Sequence, residues 1–390
     1  MDGGNGIVAD GAGISQRSLR GEGREPSVLV VGDGPLAVVT AAFLERAGLN
    51  SLLASATGND PRKSIQMLWE PGLTLLEAIN IRRPVEQLGT IVEGRRCLTT
   101  GRNWTAPEDA TAKLVTIRND RLRALLGHRL RDNLTETDQS VTGIQTGDSG
   151  ARATFEGVTT ERFDTIVATT RTVLPPRQRV MTGQTLHTWQ FEHTLQGPRE
   201  SASTEAWDGR VAAFSAPVSG ARWVRLVSAA QTLSGAALSP DALADQFGHL
   251  TAGTPFATLD QRMLHYQQIP HAVPVTLTTD GVVLLGAGSR LSIPGDFLSA
   301  TLGIEDAWVL ADTLATGPSD TESAVNEYVR RRRNRHRAIA TAIGDQCRRS
   351  HGQETFAPVL CQLHARRRLA FSHIVDQSLP DIARDVPEAL

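Results

Sequence analysis

The strongest constraint on this chain lies in one short segment near its start. Ser27-Val28-Leu29-Val30-Val31 is an apolar, β-branched run, Gly32-Asp33-Gly34-Pro35 follows at once, and an alanine-rich stretch then runs to Gly48. Leu49 to Ala54 is apolar again. The order is strand, tight turn, helix, strand, and its length of about 30 residues is that of one βαβ unit. A chain that opens this way builds an α/β sheet with helices on its faces.

At 390 residues the chain can bury a sizeable core and is expected to form two domains, or one with an inserted layer. Forty basic residues against forty-two acidic ones leave a formal charge of -2, which gives no general attraction to nucleic acid or to anionic membranes. Lys63 and Lys113 are the only lysines, so most lysine-based catalysis is out of consideration. Cys97, Cys347 and Cys361 are odd in number and lack C-x-x-C spacing, which indicates neither a disulfide framework nor a zinc site and fits a reducing cytoplasm. Residues 1–26 are glycine-rich without an apolar core and are expected to be a disordered leader rather than a secretory signal. No stretch approaches 18 uninterrupted apolar residues.

Further along, Leu68 to Leu88 carries apolar residues at helical spacing, with Pro71-Gly72 at its start and Pro84 near its end, and predicts a helix. Asp120 to Arg131 predicts another, with Leu122, Leu125, Leu126 and Leu130 on one face. Val141 to Val167 suggests a meander in which Phe163 to Val167 returns as a buried strand. After Pro175-Pro176, polar and apolar residues alternate, as in Arg222-Trp223-Val224-Arg225-Leu226-Val227, the pattern of an antiparallel sheet with one face solvated or lining a pocket. Gly281 to Gly286 is one more buried strand, followed by a long helix from about Leu298 to Ala315 and an arginine-rich helical remainder from Thr321.

Gly32 and Gly34, with Ala37 in place of a third glycine, make a partial G-x-G-x-x-G. Glycines in that pattern allow a tight turn and let the backbone approach a pyrophosphate at a helix N-terminus. The separated segments together resemble, in order, the class A FAD-dependent monooxygenases, the family of p-hydroxybenzoate hydroxylase. Gly32 to Gly48 matches the first motif, and Trp69-Glu70-Pro71-Gly72 with Leu75, Leu76 and Ile79 resembles the next. Ile117-Arg118 to Leu126, Phe163 to Val167, Gly281 to Gly286 with Pro294, Gly303 and Glu305-Asp306-Ala307, and Tyr328 with Arg331 to Arg337 follow in register.

The resemblance implies an α/β architecture. A Rossmann-like FAD-binding domain would span 27–175 and 278–340, and an antiparallel β-sheet substrate domain 176–277, joined by part of 60–110; a helical C-terminal extension would follow at 341–390. It implies a monomeric or homodimeric FAD- and NAD(P)H-dependent hydroxylase of an aromatic or polyketide-like small molecule, in which the flavin carries the oxygen chemistry and the protein supplies orientation and exclusion of water. Cofactor contacts would fall to Gly32, Gly34, Pro35, Leu36, Ser55, Arg118, Gly286, Ala287, Leu298 and Ser299. His187, Trp189, Trp223, Arg225 and Tyr266 would line the substrate pocket. No catalytic side chain and no metal set stands out, and none is needed for that chemistry.

The departures from the family pattern weigh against tight FAD binding. Ser55 stands where an acid should accept the ribose hydroxyls, Thr170-Arg171 replaces the middle Asp-Gly, and Ala287 replaces the last aspartate. A charge-assisted hydrogen bond contributes about 1.5–3 kcal/mol, so losing two acidic anchors lowers affinity by about two to four powers of ten. The alternative expectation is a homologue that kept the scaffold, lost flavin redox chemistry, and serves as a non-redox enzyme or binding protein. Asp306 is expected to cap or pair within the long helix, Arg118 to meet a phosphate, a ring edge or solvent, and the run Arg330 to Arg333 with Arg335 and Arg337 to form a solvated helical face.

Overall fold

The computed structural model describes residues 27–57, 65–99, 102–105, 113–130, 133–147, 150–157, 160–175, 185–194, 201–207, 211–228, 238–251, 264–270, 276–286, 288–289, 299–318 and 320–350. The expected leader and everything after Ser350 lie outside these residues.

The opening unit folds as its sequence dictates. β1 (Val28–Val31) is buried on both sides, as a central parallel strand must be. Gly34 is the N-cap of α1 (Pro35–Arg46), whose first residue is proline, where a missing N–H costs nothing. α1 ends in a left-handed Gly48 with φ +77°; Gly48 N donates to the Glu45 carbonyl and Leu49 N to the Leu44 carbonyl, both at 3.0 Å, the Schellman pattern that satisfies the last carbonyls. β2 (Ser51–Ala56) then pairs parallel with β1.

Between β2 and the next core strand the chain makes β3 (Ile65–Trp69), α2 (Glu70–Glu77), α3 (Arg82–Leu88), β4 (Thr90–Ile91), β5 (Gly94–Thr99), β6 (Arg102–Thr105), β7 (Leu114–Arg118) and α4 (Asn119–Leu130). The single helix expected over Leu68 to Leu88 is therefore a strand and two helices. Leu68 pairs with Val115 across β3 and β7, and Asn80 turns left-handed with φ 57°, a conformation asparagine tolerates and a continuing helix does not. Pro84 sits in the first turn of α3, where its absent N–H has no intrahelical partner to lose.

β8 (Thr135–Gly147), β9 (Gly150–Phe155) and β10 (Thr160–Phe163) form the meander, and β11 (Thr165–Ala168) returns beside β1. The strand expected over Phe163 to Val167 is thus split at Asp164. Asp164 N and Thr165 N both donate to the Ser27 carbonyl, at 2.9 and 3.2 Å, which turns the chain from an antiparallel edge into the parallel centre. β12 (Thr185–Thr194), β13 (Ala202–Trp207), β14 (Val211–Val218), β15 (Ala221–Ser228), α5 (Pro240–Phe247) and β16 (His265–Pro270) follow, then β17 (Thr278–Thr279), β18 (Val282–Leu284), α6 (Ser299–Thr316) and α7 (Thr321–Ser350).

The described residues form three sheets. The largest has eight strands in the order β10-β9-β8-β2-β1-β11-β18-β17, with parallel pairing from β8 through β18. One face is covered by α1, α2, α4, α6 and α7 through a core that includes Phe43, Leu73, Leu126, Leu310 and Tyr328; Phe43 meets Trp308 edge to face at 5.2 Å. The second sheet has seven strands, β16-β12-β15-β14-β13-β5-β6, into which β5 enters parallel to β13. The third is β3-β7-β4. No helix among the described residues is long and apolar enough to cross a membrane.

The arginine run corrects the expectation of a wholly solvated face. Arg332 is only 3% exposed; its Nε donates to Asp306 Oδ1 at 2.6 Å and its Nη2 to Glu305 Oε2 at 2.8 Å. Arg335 donates twice to Glu305, and His336 Nε2 lies 2.7 Å from Asp306 Oδ1. Arg331 reaches Asp312 on α6, while Arg330, Arg333 and Arg337 face solvent. Tyr328, Arg332 and His336 recur at i, i+4 and i+8, so one face of α7 turns its charges onto two buried acids of α6. Unpaired, those acids would be costly to bury.

Candidate functional site

In an open parallel sheet, ligands bind beyond the carboxyl ends of the strands where the strand order reverses. Here the order runs from β1 to β2 on one side and from β1 to β11 and β18 on the other, and the reversal falls at Gly32. Gly32 has φ +154°, and a Cβ there would lie 2.0 Å from Thr169 Oγ1, so only glycine fits. Thr169 in turn donates through Oγ1 to the Val31 carbonyl at 3.2 Å, locking the ends of β1 and β11 together.

Gly34 differs: a Cβ there would meet nothing within 4 Å. The N-terminal turn of α1 begins at this open position with no side-chain cap and no acidic residue. Pro35 has no N–H and Ala37 N donates to the Gly34 carbonyl at 3.1 Å, so what the turn offers an anion is the Leu36 N–H and the positive end of the helix dipole. Leu36, one residue inside, sends its side chain across the crevice: a Cβ on Gly286 would lie 2.4 Å, and one on Gly303 2.7 Å, from Leu36 Cδ2. Two glycines from β18's end and α6 thus make room for one leucine of α1.

The end of β2 carries the half-buried Ser55, but a carboxylate stands beside it. Asp33, 9% exposed, accepts a hydrogen bond from Ala56 N at 3.2 Å through Oδ2. Sequence reasoning placed no role on Asp33, because its partner is a backbone group 23 residues away.

On the far side, Thr170 is buried and its Oγ1 lies 3.2 Å from Thr172 Oγ1. Arg171 Nε donates to the Gly288 carbonyl at 2.8 Å, fastening the end of β11 to the turn after β18; burial pulls its pKa below the ordinary arginine value. Gly286 is left-handed with φ 53°, and its carbonyl accepts from Ser289 N and Oγ. Ser299 is the first residue of α6. Ala287, Leu298, Arg290 and Phe297 lie outside the described residues.

Arg118 is held in place by a side chain from another sheet. Its Nε donates to Glu192 Oε1 at 3.1 Å and its Nη2 closes a second contact with Oε2, a bidentate pair that ties the end of β7 to β12. Thr116 on β7 also donates to the Pro217 carbonyl of β14. These bonds identify the face of the seven-stranded sheet that meets β7.

Alternation then sorts the aromatic and polar residues. Gln190 pairs with Arg225 and Glu192 with Trp223 across β12 and β15, so Gln190, Glu192, Trp223 and Arg225 share the face toward β7. His187, Trp189 and Tyr266 share the opposite face. There Trp189 packs on Phe247 of α5 at 5.7 Å, and His187 Nδ1 lies 2.7 Å from the Tyr266 hydroxyl. The five residues expected to line one pocket are therefore divided between two sides of one sheet. On the face toward β7, Gln190 Oε1 and Trp223 Nε1 are buried and have no hydrogen-bond partner among the described residues. Arg225 lies over the Trp223 ring at 5.1 Å.

The crevice suits the adenosine–pyrophosphate half of FAD. An open glycine, an uncapped helix start and a carboxylate, that of Asp33, beside the end of β2 are the kinds of contact that half requires.

No protein-family model matches the chain, and no curated protein matches it. Solved structures do. Klebsiella pneumoniae HpxO complexed with FAD and uric acid is 18% identical, with a TM-score of 0.65 over 91% of this chain and 96% of that one. PqsL of P. aeruginosa in complex with 2-aminobenzoylacetate is 17% identical, with a TM-score of 0.67 over 90% and 99%. The tetrameric form of 2-methyl-3-hydroxypyridine-5-carboxylic acid oxygenase is 14% identical, with a TM-score of 0.67 over 88% and 96%. Agreement over nearly the whole length of each chain, at such low identity, is agreement in fold: the chain is built on the fold of the class A FAD-dependent monooxygenases.

Proposed function

We propose that the protein is an FAD-dependent monooxygenase of a planar, polar small molecule, aromatic or polyketide-like, with NAD(P)H as the electron donor. The observation that carries this reading is the uncapped, open N-terminal turn of α1 at the sheet's switch point. Gly32, Gly34, Pro35 and Leu36 would hold the pyrophosphate and Ser55 would flank the ribose, with Gly286, Ala287, Leu298 and Ser299 assigned to the ribityl side. FAD bound there would supply the reductive activation of dioxygen. The overall change is balanced as substrate C–H, dioxygen, NAD(P)H and a proton going to substrate C–OH, water and NAD(P)+.

The chain's own residues would orient the substrate. Trp223 Nε1 offers a donor and Gln190 Oε1 an acceptor, both buried and without a hydrogen-bond partner among the described residues, and Arg225 adds a positive charge beside the indole. A flat molecule with an acceptor and a donor on one edge suits that set. The Arg118–Glu192 pair would keep this face of the sheet, with β5 and β6 as its far strands, in register with the 27–175 and 278–340 portions that hold the cofactor. Purified protein should be yellow or should bind added FAD stoichiometrically; a colourless protein that ignores added FAD would overturn the reading.

The Arg171–Gly288 bond favours a second reading, a binding protein or non-redox enzyme on the same scaffold. It puts a cation where the resembled family has an Asp-Gly. FAD binding without substrate-dependent NAD(P)H oxidation would support this second reading against the first.

A further inference from the structure

We infer that Asp33 is the ribose-binding acid of this protein, taking over from the turn a task that its second strand cannot perform; the inference rests on the FAD reading above. A dinucleotide bound at a βαβ switch point presents its adenosine ribose to the end of β2, where an acidic side chain accepts the hydroxyl protons. Here β2 ends in the neutral Ser55-Ala56. Asp33 lies between the two glycines of the turn and delivers its carboxylate to that same place, anchored by Ala56 N at 3.2 Å. The anchor points the side chain at β2.

What remains of Asp33 is a carboxylate with acceptor positions to spare. It is 9% exposed, and the Ala56 N–H is its one hydrogen-bond donor among the described residues, although an ionised carboxylate has about four acceptor positions. No arginine or lysine among the described residues is paired with it. Its remaining acceptor positions can take further donors, and the vicinal hydroxyls of an adenosine ribose supply two. A phosphate on the ribose would instead meet a fixed negative charge, so the site takes FAD or ADP in preference to ribose-phosphorylated nucleotides.

The test uses the full chain dialysed free of nucleotide and titrated calorimetrically with ADP and with dideoxy-ADP, which lacks both ribose hydroxyls. Wild type is expected to bind ADP about ten- to a hundredfold more tightly than the dideoxy compound, the range of a charge-assisted hydrogen bond. Asp33→Asn retains an oxygen for Ala56 N but loses the charge, and it is expected to weaken ADP by that factor while leaving dideoxy-ADP unchanged. Equal wild-type affinities for the two nucleotides would overturn the assignment even if the variant failed to fold, as would an Asp33→Asn loss equal on both. FAD binding that survives either result leaves the FAD reading intact and removes Asp33 alone, whereas binding of neither ADP nor FAD removes both.

Discussion

Glu305→Gln is the sharpest probe of how the two C-terminal helices are joined. Glu305 is 0% exposed and accepts bonds from Arg332 and Arg335. Removing one member of a buried ionic network leaves the opposite charge uncompensated, at about 3–5 kcal/mol. On a 390-residue chain, an unfolding entropy of about 2.1 cal/mol/K per residue corresponds to about 0.8 kcal/mol per degree, so the melting temperature should fall by about 4–6 °C at pH 7. Burial pushes the Glu305 carboxyl up, but Arg335 and Arg332 outweigh it and hold the group below its ordinary value near 4.5. A depressed folded pKa means that the stabilisation is complete above the unfolded value and is lost as pH falls through the folded one. The gap between wild type and Glu305→Gln should therefore be constant above about pH 5 and close on further acidification. Calorimetric melts at stepped pH measure it, with Glu327→Gln as the control: its partner Arg330 is 74% exposed, and such a surface pair should leave the melting temperature unmoved. A Glu305→Gln melt within a degree of wild type at pH 7, or a gap that widens in acid, would refute the account.

Two further outcomes are expected. Gly303→Ala should destabilise wild type because its Cβ meets Leu36 Cδ2 at 2.7 Å, yet stabilise a Leu36→Ala background by about 1 kcal/mol, the helix-propensity gain once the overlap is gone; chemical denaturation of the four chains of that cycle reads it. Gln190→Leu and Trp223→Phe each delete an unsatisfied buried polar group, so thermal stability should be held or raised while KM for the hydroxylated substrate rises about tenfold. A fall of several degrees would show that these groups hold the fold rather than a ligand.

The opening βαβ unit was legible because a short, continuous apolar run gives way to a helical pattern across a glycine turn, and the elements on both sides of the turn are local. The long α6 and the arginine-rich α7 were legible by the same token. What escaped was set by partners distant in sequence. The period of Arg331 to Arg337 reads as any exposed charged helix does, and the available signal was the adjacent pair Glu305-Asp306 inside an otherwise apolar α6. His187 and Trp189 on one strand and Trp223 and Arg225 on another are all odd-numbered, but the register that sets Gln190 opposite Arg225 puts them on opposite faces, and register is fixed by packing rather than by either strand alone. Leu68 sat in a helical pattern and became strand because β7 was there to pair with it. Asp33 could not be singled out at all, since Ala56 binds it through a backbone N–H.

The neighbours of β11 also bear on how the protein is made. β1 is present from the start of synthesis, but β18, which covers the other edge of β11, emerges roughly a hundred residues after β11 itself, on the order of ten seconds at ribosomal speed. For that interval the nascent sheet carries a bare parallel edge of buried-type residues, a template for wrong pairing. The wall of the crevice contributed by Gly286 and Gly303 arrives later still, so a chain cut short anywhere before it has a crevice with a floor and no far side.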